Sequence, residues 1–371
     1  MPTDVVIIGA GVQGSSVALR LAQAGRSVVV LERAVPGAEA SSAAGGILSP
    51  GVEAVEPGPF YALCRASLAR YAAFVADVEK LSGMATSLRF LGTLEVALDD
   101  DHARILAARA EKILKHGLPV EVLDEVAARR LEPALSPETR GALFFPDEGS
   151  LDPRLLARAT YVAASRAGAR FVTGQVRRIL IEGGRAVGVE HESGRIEAGA
   201  VILAAGSWSM QVEGNGLPPG SVRPVRGQIA LLDTRPPLLS RVVFSGHGYV
   251  VPRPDGRVLS GSTMEEVGFE KAVTAGGLRH VLDVAMGIAP ALEKAPVVET
   301  WANFRPASPD GEPILGPGTV PGLHYATGHT RNGILLTPVT ADAIAATILG
   351  KAPPVDLAPF SPARLAGYRR S

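Results

Sequence analysis

Residues 9–14, Gly9-Ala10-Gly11-Val12-Gln13-Gly14, constrain this chain more than any other segment. They follow Val5-Val6-Ile7-Ile8, a wholly apolar, largely β-branched run of the kind expected in a strand buried on both faces of a parallel sheet. They open residues 15–24, where apolar positions recur at helical spacing and Gly25 marks a stop. Residues 27–31 (SVVVL) read as a second buried strand, and Glu32 ends it about twenty residues beyond the glycines. This context predicts a βαβ unit with a dinucleotide at its turn. Gly9 permits the tight turn, Gly11 lets a pyrophosphate approach the backbone, and Gly14 lets helix and strand pack closely. The helix N-terminus, at Val12 and Gln13, offers free N–H groups and a partial positive charge to phosphate. Glu32 can accept from both ribose hydroxyls, and its charge disfavours a 2′-phosphate. Arg33, next in the chain, is assigned to the same cofactor site.

Two later segments distinguish FAD from NAD. Ser41-Ser42-Ala43-Ala44-Gly45-Gly46 is a small-residue stretch soon after Glu32, and it allows a second close backbone approach to a long ligand. Residues 200–208 (AVILAAGSW) read as a late buried strand entering a glycine turn. That turn carries Ala205, Gly206 and Trp208, and it is similar to the second dinucleotide-side motif of flavoproteins. In this order the segments favour FAD.

The remaining chain alternates in type. Residues 62–82 and 102–116 predict amphipathic helices, and 87–97 predict strand, turn, strand around Gly92. A helix over 155–168 leads to a strand near 170–173. Short strands follow over 176–205, with Gly183-Gly184 as a hairpin turn. Residues 222–264 are strand-rich, 277–290 helical, 322–326 a strand, and 338–349 a last helix. The expectation is an α/β protein in which a FAD-binding Rossmann-like domain is interleaved with a substrate domain built on a largely antiparallel sheet. The first would comprise residues 1–86, 147–220 and 310–371, and the second 87–146 and 221–309.

Charge and composition exclude several partners. Lys plus Arg and Asp plus Glu both number 37, so the neutral chain lacks the basic surplus of a nucleic-acid binder. There is one cysteine, Cys64, at an apolar position of a predicted helix, which leaves no disulfide framework and no thiolate cluster. No His, Asp and Glu cluster has metal-ligand spacing, so no metal is expected. No apolar stretch approaches the roughly 18–20 residues of a membrane span. Asp4 stands where a signal peptide carries Lys or Arg, and a cytoplasmic protein is expected.

Several motifs together resemble the D-amino-acid-oxidase-type FAD-dependent oxidoreductase superfamily, and within it the thiamine-pathway glycine oxidase branch. They are Arg226-Gly227-Gln228, residues 248–252 (GYVVP), residues 301–306 (WANFRP), residues 309–316 (PDGEPILG) and residues 327–338 (TGHTRNGILLTP). The resemblance implies oxidative deamination of glycine or a small N-substituted glycine such as sarcosine. Molecular oxygen would be the acceptor, with glyoxylate, ammonia or amine, and hydrogen peroxide as products. It implies Arg305 as the carboxylate anchor, Tyr249 as its hydroxyl partner, Met264 as a pocket-lining residue and Arg331 as a second arginine near flavin and substrate. It places Arg331-Asn332-Gly333-Ile334-Leu335 under the flavin ring, with Thr337-Pro338 as cap and first position of a helix aimed at the ring. Val176 would make a backbone contact on the adenine side. His247 reads as a partly exposed loop residue and His329 as a structural hydrogen-bonding residue. No cysteine stands just before the last motifs, so FAD is expected to be non-covalent. The chain departs from the family pattern at Thr330, usually aromatic, and at Asn303-Phe304, usually Gly-Leu. A homo-oligomer is compatible with the resemblance. A dye-linked amino-acid dehydrogenase and a catalytically silent flavin-binding partner protein are the alternatives.

Overall fold

The computed structural model describes residues 3–53 and 57–366. Strand β1 (Thr3–Ile8) runs parallel to β2 (Val28–Glu32) on one side and to Gly194–Leu203 on the other. Val5 to Ile8 are each no more than 4% exposed, which is why the run is apolar on both faces. Helix α1 (Val12–Gln23) crosses between the strands and buries its apolar stripe against helices Pro153–Arg166 and Thr337–Ile348. The long helix Pro59–Ser82 packs on the same layer and carries the buried Cys64. Burial pushes the Cys64 thiol well above its ordinary range, consistent with a packing residue.

The first sheet orders strands Ile314–Pro317, Leu323–Thr327, Gly194–Leu203, β1, β2 and Arg170–Thr173. Its core is parallel, and Val176–Glu182 and Arg185–His191 add an antiparallel extension through Gly194–Leu203. The second sheet has eight strands, ordered Val297–Ala307, Arg223–Asp233, Arg257–Gly261, Gly248–Pro252, Val242–Ser245, Thr93–Ala97, Gly141–Phe145 and Glu121–Leu123. It is antiparallel except where Val242–Ser245 pairs with Thr93–Ala97. Helix Ala275–Ile288 covers one face of it, and Tyr249, Ile229 and Leu259 lie in the cluster on the other.

The structure corrects the sequence reading in two places. Over 87–97 only Thr93–Ala97 is a strand; Arg89 makes a single bridge to Ser150 and sends its guanidinium to the Pro252 carbonyl at 2.7 Å. The backbone there serves a tertiary contact instead of a hairpin. The last helix starts at Thr337, but Leu336 occupies the cap and makes no side-chain cap bond. Residues 332–336 already coil, with Leu336 N–H bonded to the Asn332 carbonyl and Thr337 N–H to that of Ile334. The Thr337 hydroxyl therefore donates back to the Gly333 carbonyl at 2.9 Å instead of capping the first turn. Among the described residues no helix is long and apolar enough to cross a membrane.

Candidate active site

One continuous cavity runs between the two sheets, from the glycine turn after β1 to Tyr249 and Arg305. At its dinucleotide end Gly9 has φ +101°, and a Cβ there would meet the Ala204 carbonyl oxygen at 2.6 Å. A Cβ on Gly14 would meet the Gly9 carbonyl oxygen at 1.9 Å, so helix and strand close only because that side chain is missing. Gly11, Val12, Gln13, Glu32 and Arg33 line the cavity, whereas Gly14 sits behind the turn. Glu32 Oε2 accepts from Ala10 N–H at 2.8 Å and Oε1 from Ala34 N–H at 3.1 Å, which fixes the carboxylate at the strand end.

Ser41, Ala43, Ala44, Gly45 and Gly46 form the adjoining wall. Ser42 does not: its hydroxyl turns away and donates to the Gly37 carbonyl. The second sheet clamps this run. Trp301 Nε1 donates to the Ala43 carbonyl at 3.0 Å, and Arg253 Nη2 to the Gly45 carbonyl at 3.0 Å. Val176, Ala205, Gly206 and Trp208 line the opposite side, and the Arg33 guanidinium lies 3.7 Å over the Trp208 ring.

The closing wall is Arg331, Asn332, Gly333 and Ile334. Leu335 is buried in the helical layer and does not reach the cavity. Three carbonyls here accept from side chains: Gly333 from Gln13 Nε2 at 2.6 Å, Ile334 from the Tyr71 hydroxyl and Leu335 from the Ser67 hydroxyl, both at 2.7 Å. His329 is 2% exposed, bonds Thr340 through Nε2, and is held neutral by burial, which lowers its pKa to about 3.

The substrate end is built on paired strands. Arg305, on Val297–Ala307, stands opposite Val225, and its guanidinium lies flat against Gly227, where a Cβ would come within 2.4 Å of Nη1. Arg305 Nη1 donates to the Thr263 carbonyl at 3.1 Å, and Nη2 to the Ser262 hydroxyl. Each terminal nitrogen keeps a second N–H. Desolvation pulls this guanidinium below its ordinary pKa, so an anion beside it is favoured. Tyr249 is paired with Gly261, and the missing Cβ there leaves room for its ring. Arg331 stands at the cavity mouth and donates to Glu53 at 3.0 Å, and that carboxylate raises its pKa. Met264 is 58% exposed and is not among the residues lining the cavity, whereas its neighbours Ser262 and Glu265 are tied to the cavity wall and to Arg226. His247 is exposed in the turn before Tyr249.

Ser262, Thr263, Glu53 and Glu148 carry no sequence signal that marks them for the site, whereas Gly227 sits in the motif Arg226-Gly227-Gln228. Glu148 accepts from Gly51 N–H and so holds the short helix Pro50–Glu53 that carries Glu53. Burial raises its pKa from the ordinary 4.5 to about 8. The folded state therefore keeps a proton that the unfolded chain has lost between these values. Stability should fall as pH rises through that window, by about 1.4 kcal/mol per pH unit from this group, and be flat below and above it. Glu148→Gln should flatten the slope of unfolding free energy between pH 5 and about 8; an unchanged slope would refute the assignment. Among the described residues no group of three or more His, Cys, Asp or Glu could hold a metal ion.

A nucleotide-cradling glycine turn, an acidic residue at the next strand end and a second sheet with an arginine facing the same cavity define a dinucleotide-dependent oxidoreductase. Residues 4–347 match the FAD dependent oxidoreductase family, and the chain belongs to it. Its cofactor is FAD. The residues present fit that group: the cradle at Gly9 to Gly14 admits no side chain at Gly9 or Gly14, and Gln13 Oε1 is buried without a partner beside it. The chain is 36% identical over 370 residues to a bifunctional ThiO/ThiG protein of Synechocystis, covering 98% of this chain and 54% of that one. It thus spans about half the length of the first curated relatives it matches. The structure resembles crystal structures of glycine oxidase from Geobacillus kaustophilus (TM-score 0.94, 32% identity, 100% of both chains). It also resembles iminodiacetate oxidase from Chelativorans sp. BNC1 (TM-score 0.87, 30% identity, 96% and 98% of the chains).

Proposed function

We propose that the enzyme oxidises glycine and small N-substituted glycines of the sarcosine type. The single observation that carries the reading is Arg305, its guanidinium lying over Gly227 in the cavity wall, held by Thr263 and Ser262 and in side-chain hydrogen-bond contact with Tyr249. A guanidinium so presented grips a carboxylate through two parallel bonds and fixes its orientation. Tyr249 adds a hydroxyl to the same carboxylate. Arg331 is already paired with Glu53, so one net positive group faces the substrate, which suits one carboxylate. When bound, FAD supplies the two-electron acceptor for the Cα–N bond. Over one turnover glycine, dioxygen and water give glyoxylate, ammonia and hydrogen peroxide. The protein's part is positioning and desolvation. No side-chain base is invoked, and His329 is committed to Thr340. The relatives named glycine oxidase and iminodiacetate oxidase support a glycine or N-substituted glycine substrate, iminodiacetate being itself a glycine substituted on nitrogen.

The test is an anaerobic titration of the holoenzyme with glycine, sarcosine and a bulkier N-alkylglycine, followed by air. Glycine and sarcosine should bleach the flavin band, and air should restore it with peroxide formed. Bleaching with slow reoxidation would instead identify a dehydrogenase, and no bleaching by any of the three would overturn the reading.

A further inference from the structure

Residues 262–274 join strand Arg257–Gly261 to helix Ala275–Ile288 with no helix or strand of their own, yet they touch both ends of the cavity. At the start, Ser262 and Thr263 hold Arg305. In the middle, Glu265 bonds Arg226 Nε at 2.8 Å, its backbone pairs with that of Arg226, and the Arg226 side chain is 5% exposed. At the end, Thr274 N–H donates to Gln228 Oε1 at 2.7 Å. These anchors all lie on the second sheet.

The tip is different. Phe269 packs against Trp208 with centroids 5.3 Å apart and against Phe304 at 5.5 Å. Lys271 Nζ reaches Glu39 Oε2 at 2.7 Å, and Glu39 also pairs with Arg33 at 3.1 Å. Trp208, Glu39 and Arg33 belong to the first sheet's layer and line the cavity; Phe269 and Lys271 do not line it but back those that do. Phe269 is nonetheless 41% exposed, and its contacts to Trp208 and Phe304 turn an exposed aromatic into a brace. The tip thus bridges the layers: Phe304 and the Arg226 Nη1 bond to the Glu270 carbonyl at 3.1 Å hold it to the second sheet, and the Trp208 ring and the Lys271–Glu39 pair hold it to the first.

We propose that residues 262–274 form a strap that closes the dinucleotide cleft and retains FAD. Phe269 and Lys271 are positioning residues that act through Trp208 and Glu39. Lifting the tip breaks the Phe269 and Lys271 contacts and the Arg226 Nη1 bond to the Glu270 carbonyl, and it frees Trp208 and Glu39 in the wall without breaking a ladder bond of either sheet. The inference concerns cofactor retention and is independent of which amino acid is oxidised.

Its test is the rate of FAD release from the holoenzyme, read as recovered flavin fluorescence after dilution into a flavin-scavenging protein. Phe269→Ala should speed release about tenfold, the scale of a lost aromatic pair. Lys271→Ala should speed it up to about fivefold at low salt and less at high salt, because an exposed ion pair is screened. Lys271→Arg should restore slow release. Val273→Ala, on the same segment but away from the tip contacts, should release FAD like the parent. Unchanged release in both Phe269→Ala and Lys271→Ala would overturn the proposal. Equal acceleration in Val273→Ala would overturn it too, since general loosening of the segment would then suffice. Release needs no substrate, so failure of glycine to bleach the flavin leaves this result unaffected.

Discussion

Arg305→Ala should keep bound FAD and lose about 2–5 kcal/mol in kcat/KM, the usual consequence of removing one partner of a desolvated charge pair. The side chain's bonds to Ser262, the Thr263 carbonyl and Tyr249 lie away from the glycine turn. Most of the loss should appear with every carboxylate substrate, whatever its nitrogen substituent. Arg305→Lys should recover little, because an ammonium offers a point charge where the site presents a planar fork over Gly227. Steady-state kinetics with glycine and sarcosine, together with the flavin absorbance of the purified variants, checks both statements. Near-normal turnover by the alanine variant would remove Arg305 from the site. The proposed carboxylate anchor would then have to move to Arg331, already held by Glu53.

The second large effect is at Gly14. A Cβ there falls 1.9 Å from the Gly9 carbonyl oxygen and 3.1 Å from its carbonyl carbon, both backbone atoms. Backbone cannot swing aside as a side chain can, so Gly14→Val must push α1 off β1. A destabilisation of about 3 kcal/mol or more is expected, with loss of the flavin. Gly11→Ala separates the two roles. Its Cβ would meet only the Ser41 hydroxyl oxygen, at 3.2 Å, and it faces the cavity. That variant should fold with nearly the parent's melting temperature and bind FAD more weakly. Thermal unfolding of the flavin-free proteins, followed by FAD titration, reads the two effects apart. Equal melting temperatures for Gly14→Val and the parent would contradict the packing argument.

Residues close in sequence were the legible ones. The βαβ unit at the start reads directly from residues 5–32, because a buried parallel strand, a glycine turn and an amphipathic helix each leave a local pattern. Parallel pairing of Val5 with Val28 then follows from the connection itself. The last helix was legible in extent, yet its cap was not. Thr337 has the right chemistry for a cap, and only the preceding coil of residues 332–336 shows that its hydroxyl faces backward. Met264 is placed near the pocket by resemblance alone, and in the structure it is 58% exposed. Leu335 and Ser42 sit in runs otherwise placed along the cavity, and each is turned away by one hydrogen bond of its own backbone or hydroxyl.

What the amino-acid sequence determined by itself was the dinucleotide-binding βαβ unit and the α/β class, since the unit rests on steric and periodic rules acting within about thirty residues; FAD rather than NAD was read from the later small-residue stretch at 41–46 and the strand and turn at 200–208. The tertiary structure decided how the substrate end is built. Arg305 meets Thr263 and Ser262 from 42 and 43 residues away, and Arg331 meets Glu53 from 278. Such partnerships depend on strand register and on which face each residue takes, and a shift of one residue would reverse every face. Local pattern carries no record of that register; it is set when Val225 pairs with Arg305 across two long strands and places the guanidinium over Gly227.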